Sequence, residues 1–83
     1  MVTDEDLDRF IRAVYNVAET QPGWRARFMA IMQEIGIEDF QRYQELAQRC
    51  EAMDLIAKRD DHYVLVVITD AGKRYVESGR TEA

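Results

Sequence analysis

Apolar residues recur along this chain with two different periods, and the change of period divides it into elements. From Asp4 to Glu19, Leu7, Phe10, Ile11, Val14, Val17 and Ala18 fall at the three-and-four spacing of one helical face. Thr3 or Asp4 can cap that helix, and Asp4, Glu5 and Asp6 suit the positive end of its dipole. Gln21, Pro22 and Gly23 break the pattern, with Pro suited to the first turn of a following helix. Trp24, Phe28, Ile31, Met32 and Ile35 then mark a second helical face, which Gly36 stops. Phe40, Tyr43, Leu46, Ala47, Cys50 and Met53 form the apolar side of a third helix, with Gln41, Arg42, Glu45, Gln48 and Arg49 on its other side. The short gap between the second and third helices predicts a sharp corner or a hairpin of helices.

After Asp54 the period shortens to that of strands. Leu55 to Ala57 is one short apolar run, and Tyr63 to Ile68 is aromatic, β-branched or Leu throughout, a composition suited to a pleated, half-buried surface. The charged link from Lys58 to His62 leaves room for a hairpin turn, so a two-stranded ribbon is predicted. Thr69 then caps a last helix, Asp70 lies in its first turn, and Gly79 is predicted to close it. Two strands alone are marginal in water, so the ribbon must lie on the helices.

Composition narrows the class without choosing a function. The chain has 83 residues, 33% of them charged and 47% hydrophobic, which suits a single globular domain over residues 1–83 with short tails at Met1 to Thr3 and Arg80 to Ala83. No apolar run reaches the length of a membrane span, and the acidic stretch from Thr3 to Asp8 is unlike a secretory signal, so a cytoplasmic protein without a membrane partner is expected. The only cysteine is Cys50 and the only histidine His62, too few for a disulfide, a zinc cluster or a histidine-based triad. Nothing pairs a nucleophile with a base, so no enzyme, no metal and no cofactor are predicted. Cys50 reads as a small buried hydrophobe. Trp24, Phe28, Phe10 and Tyr43 read as core rather than as a ligand-binding aromatic cluster.

The order helix, helix, helix, strand, strand, helix resembles a winged helix-turn-helix domain, an α+β fold with a three-helix bundle, a two-stranded wing and a short C-terminal helix. The run IMQEIGIEDFQRYQELAQRCEAMDLI is similar to the helix-turn-helix core of MarR-type and PadR-type bacterial transcription regulators. Ile35, Gly36 and Ile37 stand at the apolar-Gly-apolar turn of those families, and Tyr43, Ala47 and Cys50 at inward positions of the recognition helix. Asp54, Leu55 and Ile56 resemble their Gly-Leu-Ile entry into the wing, with Asp54 in place of Gly. Ile68, Thr69, Asp70, Ala71 and Gly72 resemble the Leu-Thr-x-x-Gly exit, where Gly allows close approach of the last helix.

The resemblance implies double-stranded DNA as partner and helix 3 in the major groove, which gives Gln41, Arg42, Gln44, Glu45, Gln48 and Arg49 as base-facing candidates. Lys58, Arg59 and His62 would be the wing contacts to the backbone or minor groove, and Arg27, at the start of helix 2, would lie near a phosphate. One winged helix of this charge would bind a half-site too weakly alone, so a homodimer through helix 1 or the C-terminal helix is expected. Other readings of the same residues stand beside these. Arg42, Glu45 and Arg49 are spaced for pairing along a solvated helix face. Asp60 and Asp61 offset Lys58 and Arg59, His62 fits a solvated turn, and Lys73 and Arg74 fit surface positions. A net charge of −5 repels polyanions unless a local basic patch overrides it. The alternative function is an acidic winged-helix module that binds another protein and never meets DNA.

Overall fold

A computed structural model of the chain describes residues 3–81 and the side chains of residues 3–78. The tail positions Met1, Val2, Glu82 and Ala83 lie outside the described residues. The elements are α1 (Asp4–Ala18), a 3₁₀ turn (Pro22–Trp24), β1 (Arg25–Arg27), α2 (Phe28–Ile35), α3 (Phe40–Ala52), β2 (Ile56–Lys58), β3 (Leu65–Ile68) and α4 (Asp70–Thr81). Together they make an α+β fold of four helices and a three-stranded antiparallel sheet.

Helix α1 is the centre of the core. Thr3 caps it through a reciprocal box in which Thr3 Oγ1 accepts from the Asp6 amide and Asp6 accepts from the Thr3 amide. Phe10, Ile11, Ala13, Val14, Tyr15 and Ala18 are buried, a wider arc than the single predicted face. The reason is that α1 touches α2, α3, α4, β1 and β3, so neighbours cover it on several sides. Its apolar surface is committed to the core, and a polar strip including Asp4, Glu5, Arg9, Asn16 and Glu19 faces solvent.

The sheet corrects the expected two-stranded ribbon. Gly23 and Trp24 adopt positive φ (74° and 55°), which turns the chain out of a helical path after Pro22. Arg25 and Arg27 therefore belong to a strand, where a helix start was expected, and α2 begins at Phe28. β1 pairs with β3 and β3 with β2, in the order β1-β3-β2. Val66 explains why so weak a strand sequence pairs at all: it is fully buried in the middle strand, and its peptide groups need partners that water cannot supply. Ala26, Val66, Ile56 and Ile68 face the core, whereas Leu65 and Val67 are half-buried on the other face.

Strand β3 is also shorter than expected. Tyr63 takes φ 60°, in the left-handed region, and β3 starts only at Leu65. The cause is Asp60, whose carboxylate accepts the amides of His62 (2.9 Å), Val64 (3.1 Å) and Leu65 (3.0 Å) and so holds Tyr63 and Val64 in the turn.

Two caps set the remaining corners. Gly36 ends α2 at φ 74°, as its sequence position predicts, and Asp39 caps α3 by accepting the Gln41 amide at 3.0 Å. Thr69 caps α4 by accepting the Gly72 amide at 3.0 Å, while its hydroxyl donates to the Asp54 carbonyl at 2.6 Å. Asp54 itself has φ 62°, where Gly carries no penalty and Asp only a small one. α4 continues through Gly79 to Thr81, which overturns the predicted stop. A helix can run through Gly when nothing supplies the left-handed turn that would end it, at a cost of about 1 kcal/mol relative to Ala.

Candidate nucleic-acid interface

The third helix sorts its side chains by angle. At 100° per residue, Tyr43, Leu46, Ala47 and Cys50 share the inward direction, and all four are buried. Gln41, Glu45 and Gln48 lie opposite and are exposed. The flanks differ from each other. Arg42 and Arg49, seven positions apart, share the flank toward α1, and Gln44 and Glu51 share the flank toward the hairpin.

Contacts on the two flanks agree with that assignment. Arg42 Nη2 donates to Asp6 Oδ2 at 2.8 Å, a half-exposed ion pair that ties α3 to the first turn of α1. The Thr3 amide, first, and the Arg42 guanidinium lower the Asp6 carboxyl below the ordinary carboxylate value. On the other flank, Gln44 Nε2 donates to the His62 carbonyl at 3.4 Å. Tyr63 OH donates to Glu51 Oε1 at 2.8 Å, and burial with that carboxylate raises the phenol to about 12. Tyr43 OH donates to the Tyr63 carbonyl, and burial pushes its pKa up. The hairpin loop is thus anchored to α3 through Tyr43, Gln44 and Glu51.

At the hairpin tip the charges are partly spent. Asp60 is directed at backbone amides, and the Leu65 and Val64 hydrogen bonds hold its carboxyl below the ordinary value. Asp61, with its side chain 93% exposed, lies 3.7 Å from Lys58 Nζ. Lys58 also sits 5.8 Å from the centre of the Tyr63 ring. Arg49 and Arg59 are exposed and make no ion pair among the described residues, and His62 is exposed.

The structure therefore brings Gln41, Gln44, Glu45, Gln48, Lys58, Arg59 and His62 onto adjoining surfaces, with Arg49 on the far flank. It places Arg42 against Asp6, and Arg27 on β1, opposite Leu65 of β3 and on the other sheet face from Lys58. Between residues 38 and 62, Glu38, Asp39, Glu45, Glu51, Asp54, Asp60 and Asp61 outnumber Arg42, Arg49, Lys58 and Arg59. Sequence reasoning missed Asp60 as the organiser of the tip. Its signal was available, since Asp at a turn start accepts from the amide two residues on. The Asp6 partner of Arg42 had no local signal.

Other polar and reactive groups serve packing. Burial pushes the Cys50 thiol up to about 12, which suits an inert core residue. Phe28, Phe40, Tyr43 and Phe10 form one aromatic group with ring centres 5.3 to 6.2 Å apart. Lys73 Nζ lies 4.3 Å from the centre of the Trp24 ring. Among the described residues no group of His, Cys, Asp or Glu is arranged to hold a metal ion, and no helix is long and apolar enough to cross a membrane. Comparison with protein-family models, with curated proteins and with solved structures found no match.

Proposed function

We propose that this chain is a winged-helix DNA-binding domain of a transcription regulator, with α3 entering the major groove and the β2–β3 hairpin acting as the wing. The element order, with β1 joining the hairpin as a third strand, supports that architecture. The observation that carries the function is the Gln44–His62 contact, which joins the uncovered polar strip of α3 to the hairpin tip as one surface. From Gln41 to Arg49 that strip exposes no apolar side chain, which fits a groove of base edges better than a protein hot spot. Gln41 and Gln48 have the two-sided amides that match adenine, Arg49 has the fork that matches guanine, and Gln44 reads a base only by leaving the His62 carbonyl. Lys58, Arg59 and His62 supply backbone contacts, and Arg42 joins them only by leaving Asp6.

So few free cations give weak binding to one half-site, and two copies on neighbouring half-sites raise it. Of the two helices expected to self-associate, α4 offers an exposed aromatic ring, since Tyr75 is 39% exposed. The second reading, a protein-binding module, is favoured by the acidic majority between residues 38 and 62. Fluorescence anisotropy with a random duplex at roughly 50 and 200 mM salt separates the two, because phosphate contacts make binding fall by about tenfold or more over that range. Binding that weakens with salt supports the DNA reading; no binding at either salt overturns it in favour of the protein module.

A further inference from the structure

A second surface lies away from α3, along the free edge of the sheet. β1 is an edge strand, and among the described residues nothing pairs with it on the side away from β3. The Phe28 amide donates to the Val64 carbonyl at 2.9 Å, and the register alternates from there, so Ala26 exchanges bonds with Val66. It follows that the Arg25 carbonyl and the Arg27 amide point outward. Those two groups, one on each side of a single residue, are the acceptor and donor that an incoming strand uses to extend a sheet.

A groove of about 500 Å³ runs past the same edge. Arg25, Arg27 and Leu65 line it from the outer face of the sheet, and Val17 and Ala30 from the helices that cover the inner face. One groove touching both sets must pass around β1. Arg25 and Arg27 are exposed, project from the same side of the strand, and make no ion pair among the described residues. Arg25 Nε also donates to the Pro22 carbonyl at 3.3 Å, which holds its guanidinium at the groove mouth. In a chain of net charge −5, two adjacent arginines without carboxylates form a local site of opposite sign.

We infer that this edge binds an extended acidic peptide segment of a partner protein by strand addition, with alternate carboxylates on Arg25 and Arg27 and the intervening small apolar residues toward Val17 and Ala30. The alternation follows from strand geometry, since every second side chain of an added strand lies beside Arg25 and Arg27. Main-chain bonds to β1 supply affinity, and the arginine pair selects the acidic sequence. The site is separate from the α3 surface and stands whether or not that surface meets DNA.

The test uses a fluorescein-labelled peptide of about six residues alternating Glu and Val, a length that spans β1 with a residue or more to spare at each end. Controls are the Lys and Val peptide, the Glu and Val peptide methylated at alternate amides, and succinate as competitor. Binding of the acidic peptide alone, weakened about tenfold or more in R25S/R27S protein and lost on amide methylation, is the expected result. Both arginines are exposed, so the variant should keep its circular dichroism and urea midpoint. Equal binding of the Lys and Val peptide, equal binding to R25S/R27S, or unchanged binding after methylation would overturn strand addition. Displacement by succinate at concentrations similar to the peptide would overturn it in favour of a small-anion site.

Discussion

The guanidinium of Arg42 donates to Asp6 at 2.8 Å, so an arginine spaced to read a base is tied instead to the first turn of α1. This pairing restrains the proposed DNA surface in two ways, by engaging a cation and by placing a carboxylate beside it. Asp6→Asn should free Arg42 and remove one negative charge. Duplex affinity should rise about fivefold at ~0.1 M salt, with the salt slope steeper by about 1, as expected for one more phosphate contact. The urea midpoint should fall slightly, because the Thr3 capping box is weakened as well. Unchanged affinity in a duplex-binding protein would place Arg42 outside the interface.

Gly72 has a single structural reason. A β-carbon there would come within 2.2 Å of the Leu55 carbonyl oxygen and 2.8 Å of the Ile68 side chain, where backbone cannot yield cheaply. Gly72→Ala should therefore destabilise by about 2 to 3 kcal/mol, against the gain of about 1 kcal/mol that Ala brings to a helix interior. Urea denaturation decides by sign: a more stable variant would mean that α4 does not dock on the start of β2 as described.

The hairpin tip should depend on pH through Asp60. Its folded carboxyl lies below the ordinary 3.8 because the Leu65, Val64 and His62 amides favour the charged form. A depressed carboxylate contributes stability that is fully present above the unfolded value and is lost as pH falls through the folded one. Acidification below about pH 4 should thus loosen the tip, seen as shifts of the Val64 and Leu65 amide resonances, and Asp60→Asn should remove that transition. A tip that titrates identically in the variant would mean that Asp60 does not organise it.

Substitutions on α3 and on the hairpin should have different signatures. Arg49→Ala should cost about 1 to 3 kcal/mol on a selected duplex and relax preference at one base position. Arg59→Ala should weaken all duplexes alike and reduce the salt slope by about 1. Selection of sites from a random pool, followed by salt titrations, distinguishes the two. Identical behaviour of both variants would remove the distinction between base-reading helix and backbone-contacting wing.

Local chemistry made much of this fold readable from the sequence. The helical periods of Leu7 to Ala18 and Phe40 to Cys50 appear as α1 and α3, and the caps at Thr3 and Thr69 and the stop at Gly36 sit where their side chains or φ require. Each of these depends on residues within about one helical turn, which the chain itself keeps close. The rest depended on partners distant in sequence. Arg25 to Arg27 became a strand because buried Val66 needed backbone partners, Arg42 found Asp6 across 36 positions, and Asp60 shortened β3 by competing for its first amides. Those contacts exist only once α1, the sheet and α3 pack together. Packing therefore decided which arginines face solvent, and with them the surfaces from which function is argued.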